Sequence, residues 1–154
     1  MEHRKQNSFL GTMPSPASRL AGFYYMHHRN RFWPVMEKIF GVTLPSVNER
    51  RAFLLQNNIA LWDVLCGCDI DGAQDSSIKN AVPNNFTQIL NESKISRIFC
   101  TGKTALLLYE KLCAKNYSVT YEGLPSTSPA NASWTLEKLC EEYRKKIFAD
   151  AFHQ

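Results

Sequence analysis

Apolar and polar positions along the chain switch between a period of two and a period near 3.6. Ser8-Phe9-Leu10 is a short apolar run closed by Gly11-Thr12-Met13-Pro14-Ser15, where glycine permits close backbone approach and proline stops a strand. Within residues 32–40, Trp33, Met36, Ile39 and Phe40 recur at helical spacing, and Gly41 is a stop. Residues 48–57 predict a second helix, and residues 59–65 an apolar strand interrupted only by Asp63. A loop rich in Asp, Gly and Ser then runs to Ser77. Residues 86–92 predict a short helix, and residues 95–100 a strand ending at Thr101-Gly102. Residues 103–115 carry Leu106, Leu107, Tyr109 and Leu112 on an amphipathic pattern, and residues 117–124 place β-branched and aromatic side chains alternately. Pro125-Ser126-Thr127-Ser128-Pro129 is a polar turn. Ser133 is the expected cap of a last helix containing Leu136, Leu139, Tyr143, Ile147 and Phe148.

Four strands alternating with helices predict an α/β fold: a three-layer α/β/α sandwich on a central, mostly parallel four-stranded sheet. In such a sheet ligands collect outside the carboxyl ends of the strands, so the loops after strands are the candidate site. The length of 154 residues without repeats or linkers fits a single domain over residues 1–154. With 44% hydrophobic and 21% charged residues the chain has the composition of a packed globular domain.

The net charge of +4 is uneven: residues 1–51 carry +5, residues 52–100 carry −2 and residues 101–154 carry +1. Arg19, Arg29, Arg31, Arg50 and Arg51 dominate the basic third, and arginine suits bidentate phosphate contact. The five cysteines are odd in number and irregularly spaced, and Cys66-Gly-Cys68 is too close for a zinc knuckle, so buried thiols and no metal are expected. No apolar stretch approaches the roughly 20 residues of a membrane span. With no secretory signal visible, a reduced, cytoplasmic protein is expected, and the four Asn-x-Ser/Thr triplets are then chance matches.

Residues 22–34, Gly-Phe-Tyr-Tyr-Met-His-His-Arg-Asn-Arg-Phe-Trp-Pro, concentrate aromatics, imidazoles, guanidiniums and an amide just after the first strand loop. An aromatic ring can stack on a nucleobase, and an Asn offers both donor and acceptor for a base edge or a water. Phe32 and Trp33, at a helix start, read as core; Tyr25 and Asn30 fit either a core or a site role. His27 and His28 could act as acid or base, although adjacent loop histidines are usually surface contacts. The chain has no Gly-x-Ser-x-Gly elbow, His-Glu-x-x-His, dinucleotide or Walker loop, and Gly102-Lys103-Thr104 lacks the earlier glycine of a P-loop.

Three ordered motifs carry a resemblance. Gly11-Thr12-Met13-Pro14-Ser15, the aromatic and basic run from Gly22 to Trp33, and Leu124-Pro125-Ser126-Thr127-Ser128-Pro129-Ala130-Asn131 together resemble the uracil-DNA glycosylase superfamily, nearest its hypoxanthine-DNA glycosylase branch. The resemblance implies a monofunctional glycosylase, monomeric and free of metal or cofactor, that flips a deaminated or mismatched base from double-stranded DNA and hydrolyses its glycosidic bond. Deoxyinosine is the first expected substrate and uracil the second.

By the same resemblance, Gly11, Thr12 and Met13 contact the base, Tyr25 stacks on it, and Asn30 takes over part of the task of positioning the attacking water. Ser126 contacts the base and its developing charge, while Ser15, Ser128, Pro129, Ala130 and Asn131 hold the DNA. The chain departs from the family at three of these places. Thr12-Met13 stands where several branches have an Asp or Asn, Ser126 where they have His or Asn, and Ala130 is a small wedge. His28 stands where relatives commonly show Pro. These departures motivate a second reading, a damage-binding module of the same fold with weak or lost catalysis. The iron–sulfur branches use cysteines around the first motif, whereas none here precedes Cys66, so no cluster is implied.

Overall fold

A computed structural model of the chain describes residues 6–12, 23–69, 78–87, 90 and 95–149. In chain order the elements are β1 (Gln6–Gly11), α1 (Phe32–Phe40), α2 (Val47–Gln56), β2 (Ile59–Asp63), β3 (Leu65–Asp69), β4 (Lys79–Pro83), β5 (Ile95–Thr101), α3 (Lys103–Leu112), β6 (Thr120–Leu124) and α4 (Leu136–Ile147). The main sheet has the order β2-β1-β5-β6, and every pairing in it is parallel. A parallel crossover needs a connection that spans the sheet: α1 and α2 lie between β1 and β2, α3 lies between β5 and β6, and α4 follows the last strand and packs with α1.

The sheet is covered on both faces because its strands alternate two apolar sets. Phe9 and Phe99, paired in register, point to one face and stack at 5.3 Å, joining Phe32, Trp33, Val35 and Met36 of α1 and Leu139, Tyr143 and Ile147 of α4. Their neighbours Leu10, Ile98 and Cys100 point the other way, against Ala105 and Tyr109 of α3 and against Phe86. Shifting β1 by one residue would exchange the two sets, so the register is firmly specified. Arg97 of β5 adds a polar tie: its guanidinium donates to the carbonyls of Lys146, Ile147 and Ala149 at the carboxyl end of α4, and to Asn7 Oδ1. A cation there also meets the negative end of the helix dipole.

Several boundaries differ from expectation. The run 59–65 divides: β2 ends at Asp63, and from Leu65 the chain leaves the main sheet to pair with β4 in an antiparallel two-stranded sheet. Asn84 pins the departure, its Nδ2 donating to the Asp63 carbonyl and its N–H to the Val64 carbonyl. The helix from Lys103 ends at Leu112, a 3-10 turn follows over Ala114–Asn116, and β6 begins only at Thr120. Tyr117 is instead a packing residue, its hydroxyl accepting from the Phe86 N–H. The short helix expected over residues 86–92 lies partly outside the described residues.

The last helix is capped by Thr135, whose Oγ1 accepts from the Lys138 N–H at 3.2 Å, and not by Ser133. The cap must accept from the third residue inside the helix, and α4 starts at Leu136, so Ser133 lies too far upstream. Thr135→Ala is therefore expected to cost about 1 kcal/mol of stability in urea unfolding, while Ser133→Ala leaves the midpoint nearly unmoved.

Candidate active site

Because the four strands of the main sheet run parallel, their carboxyl ends, Gly11, Asp63, Thr101 and Leu124, share one edge. Gly11 is paired with Asp63 in register, and a Cβ on Gly11 would lie 3.0 Å from Asp63 Oδ1, 3.5 Å from the Tyr25 hydroxyl and 3.9 Å from Thr101 Oγ1. Three side chains from three parts of the chain thus close on one backbone position, and only glycine leaves room for them. The Gly11 and Thr12 carbonyls accept from the N–H groups of Val64 and Leu65.

Tyr25 has a φ of 57°, rare for an aromatic residue, and two contacts hold it there. Its ring stacks on Phe32 with centroids 4.1 Å apart and planes 12° apart. Its hydroxyl bonds Thr101 Oγ1, which itself donates to the Leu10 carbonyl. A threonine hydroxyl has one proton, so Tyr25 must be the donor to Thr101, and the Tyr25 oxygen keeps only acceptor capacity. Burial keeps this phenol neutral at any ordinary pH.

Asn30 lies on the same turn, its N–H donating to the His27 carbonyl. Its Oδ1 accepts from the Phe32 N–H at 2.9 Å and from the Thr127 hydroxyl at 2.8 Å. A backbone N–H can only donate, so the amide orientation is set and Nδ2 is the end that can serve a ligand. Thr127 is 2% exposed, which shelters this link between the two loops.

Arg31 makes the wider connection. Its N–H donates to the Thr127 carbonyl, and its guanidinium donates to the carbonyls of Ser128, Asn131 and Trp134. Within the second loop, Ser126 Oγ accepts from the Ser128 N–H, Ser128 Oγ from the Ala130 N–H, and Asn131 Nδ2 donates to the Ser126 carbonyl. Ser126 packs beside Gly102, which has a φ of 109° and follows Thr101. Ala130 is exposed at the loop tip, and Pro129 is half-buried beside it.

The structure therefore brings together Gly11, Tyr25, Asn30, Ser126, Ser128 and Asn131, with Thr12 at the margin. Met13 and Ser15 lie outside the described residues. The pair His27 and His28 stack on each other at 4.8 Å, with His27 Nδ1 accepting from the Arg29 N–H. Among the described residues no three His, Cys, Asp or Glu side chains converge as a metal site, and no helix is long and apolar enough to cross a membrane.

Sequence reasoning overlooked Asp63, which reads as a blemish in an apolar strand. Its position as the last residue of that strand, at the edge where ligands collect, is the feature that could have singled it out. Burial pushes its carboxyl up to about 7.

A family model described as the uracil DNA glycosylase superfamily matches residues 5–152. The chain belongs to the uracil DNA glycosylase superfamily. Two curated relatives bear the name hypoxanthine DNA glycosylase. One, from Methanosarcina barkeri, is 36% identical over 80 residues, and that match spans about half of either protein, 51% of each. The other, from Methanosarcina acetivorans, is 28% identical over 134 residues, 86% of this chain and 84% of the relative. The solution NMR structure of a candidate uracil DNA glycosylase from Methanosarcina acetivorans superposes with a TM-score of 0.77 at 26% identity, over 97% of this chain and 94% of that one.

Within this glycosylase-superfamily domain, Arg31 is the strut between the two site loops. Arg31→Met keeps the length of the side chain but leaves the Ser128, Asn131 and Trp134 carbonyls without their donor. A loss of about 3 kcal/mol in urea unfolding is expected, against a change near zero for the exposed Arg29→Met.

Proposed function

We propose that the protein is a monofunctional DNA glycosylase that extrudes a deaminated base from double-stranded DNA and hydrolyses its N-glycosidic bond, with hypoxanthine as the preferred base and uracil as the second. The observation that carries this reading is a braced aromatic face beside an oriented amide: Tyr25 backed by Phe32, and Asn30 held by Phe32 and Thr127, at the ligand edge of a domain of this superfamily. The names borne by the two Methanosarcina relatives support the choice of base.

Base flipping costs a few kcal/mol, least at a mismatched or damaged pair, and a stacking partner offsets part of that cost. Tyr25 is suited to this role because one ring face is already occupied by Phe32 and its rotation is arrested by Thr101. As the glycosidic bond breaks, electrons pass to the departing base and the sugar gains oxocarbenium character. Asn30 Nδ2 and the Ser126 hydroxyl supply N–H and O–H donors toward the developing negative charge, or toward the oxygen of the attacking water. Asn30 is not a proton acceptor in this scheme, because both bonds it accepts are internal. Electrostatic stabilisation, not strong base catalysis, then drives the step.

In this reading Gly11, Thr12 and Met13 line the base, while Ser15, Ser128, Pro129, Ala130 and Asn131 meet the phosphate backbone and the gap left by the flipped nucleotide. The protein works as a monomer and needs no cofactor. Cys100, Cys113 and Cys140 are buried free thiols, in keeping with a reduced, cytoplasmic setting.

End-labelled duplexes carrying one deoxyinosine or one deoxyuridine, incubated with the protein and then treated with alkali, test the proposal. A strand break at the lesion is expected; binding without a break would instead indicate the damage-binding module that Thr12 and Ser126 favour. Asn30→Ala is expected to slow single-turnover base release about 100-fold with duplex affinity nearly unchanged. Tyr25→Ala should weaken lesion capture by about 1–3 kcal/mol, measured as a higher half-saturating enzyme concentration.

A further inference from the structure

Thr127 has no role in the motif reading, which assigns its neighbours Ser126 and Ser128. Those two serines are half-buried, whereas Thr127 between them is 2% exposed. Ser126 Oγ accepts from the Ser128 N–H and so closes a turn around residue 127. The Thr127 carbonyl accepts from the Arg31 N–H at 3.0 Å, and its Oγ1 lies 2.8 Å from Asn30 Oδ1. Thr127 is thus gripped at two points by consecutive residues of the first site loop. The Phe32 N–H makes Asn30 Oδ1 an acceptor, so Thr127 must be the second donor to it. The Phe32 bond alone settles which end of the amide is held but leaves its plane open, because the last torsion of an asparagine is broad. A donor arriving from another loop closes that freedom.

We propose that Thr127 is a positioning residue for base release: its hydroxyl, donating to Asn30 Oδ1, fixes the plane of the amide and with it the direction in which Nδ2 presents its protons to the departing base or the attacking water. The proposal rests on the role given to Asn30 above. Two donors on one carbonyl oxygen also draw electron density from the amide nitrogen, which makes the Nδ2 protons better donors at the developing charge. Burial sharpens the effect, since bulk water does not reach Thr127 to replace a lost donor. Bonds realised in the transition state are sensitive to direction, and a misplacement on the order of 1 Å can cost about 100-fold in rate. The arrangement also links the two loops. Ser126 and Ser128 belong to the surface proposed to meet the base and the phosphates, and the residue between them sets Asn30, so a shift of the second loop is felt at the amide.

Single-turnover release of hypoxanthine from a deoxyinosine duplex tests this, with the wild type compared with Thr127→Val, Thr127→Ser, Asn30→Ala and the Asn30→Ala/Thr127→Val double variant. Valine keeps the shape of the side chain and removes the donor. The maximal rate of Thr127→Val is expected to fall about tenfold with the half-saturating enzyme concentration unchanged, and Thr127→Ser, which restores the hydroxyl, should recover most of the loss. In the Asn30→Ala background the valine substitution should cost nothing further, because the amide it positions is gone; a general loosening of the loop would lower both backgrounds alike. Should Thr127→Val fail to fold by circular dichroism, NMR relaxation of the Asn30 side-chain amide in the wild type, assigned by its absence from Asn30→Ala, decides. An order parameter above about 0.6 is expected, and one below it overturns the role of Thr127. So does a wild-type maximal rate in Thr127→Val, a serine variant as slow as the valine, or equal losses in the two backgrounds, and each of these leaves the glycosylase reading standing. No release from any lesion duplex by the wild type overturns both.

Discussion

Strand β1 is paired on both sides by parallel neighbours, and the rest of the structure depends on that constraint. A strand flanked in this way has no free edge, must bury both faces, and must end level with its partners. Phe9 and Leu10 supply one core residue to each face, and the helices then cover what the strands expose. The same pairing sets Gly11 opposite Asp63 and one residue beyond the Leu10–Cys100 pair, so chemistry from distant parts of the chain meets at one edge.

Above that edge the site is assembled by polar links, each with a determined direction. Thr101 can donate once, which makes Tyr25 a donor; Phe32 N–H can only donate, which turns the Asn30 amide; Arg31 accepts nothing, which turns three carbonyls of the second loop inward. Networks of this kind are costly to break once formed, even with the Arg31 Nε buried and left without a partner among the described residues. Ser126 takes part through its own loop, its Oγ accepting from the Ser128 N–H and its carbonyl from Asn131 Nδ2.

Much of the fold was legible because it follows from periodicity. The Phe9/Leu10 alternation, the 3.6-residue spacing of Trp33, Met36 and Phe40, and the strand before Gly102 all reappear as elements. The β3–β4 pair was not legible: Lys79–Pro83 is short, mostly exposed and contains a proline, so nothing in its pattern distinguishes it from a loop. Ser133 looked like a cap because serine is a good one, but where α4 begins is set by packing of Leu139 and Tyr143. In the site, residue types and order were readable, whereas directions were not. Asn30 Oδ1 is tied to Thr127, 97 positions away, and Asp63 gains meaning only through its register with Gly11.

The stacking of Tyr25 on Phe32 carries a consequence for how such an enzyme can diversify. Phe32 is fully buried and meets Phe9 edge-on, so the Tyr25 ring, to which the proposed function gives the base, is the outer member of a stack rooted in the hydrophobic core. Under that proposal base binding and integrity of the fold draw on the same rings, which would make a bound nucleobase a ligand for the native state as a whole. Altering the ring stack to widen the substrate range would erode folding, whereas Asp63 and Ser126 at its rim can change with far less strain on the core. New specificities in this scaffold should accumulate at the rim, over a floor that selection for foldedness alone would preserve.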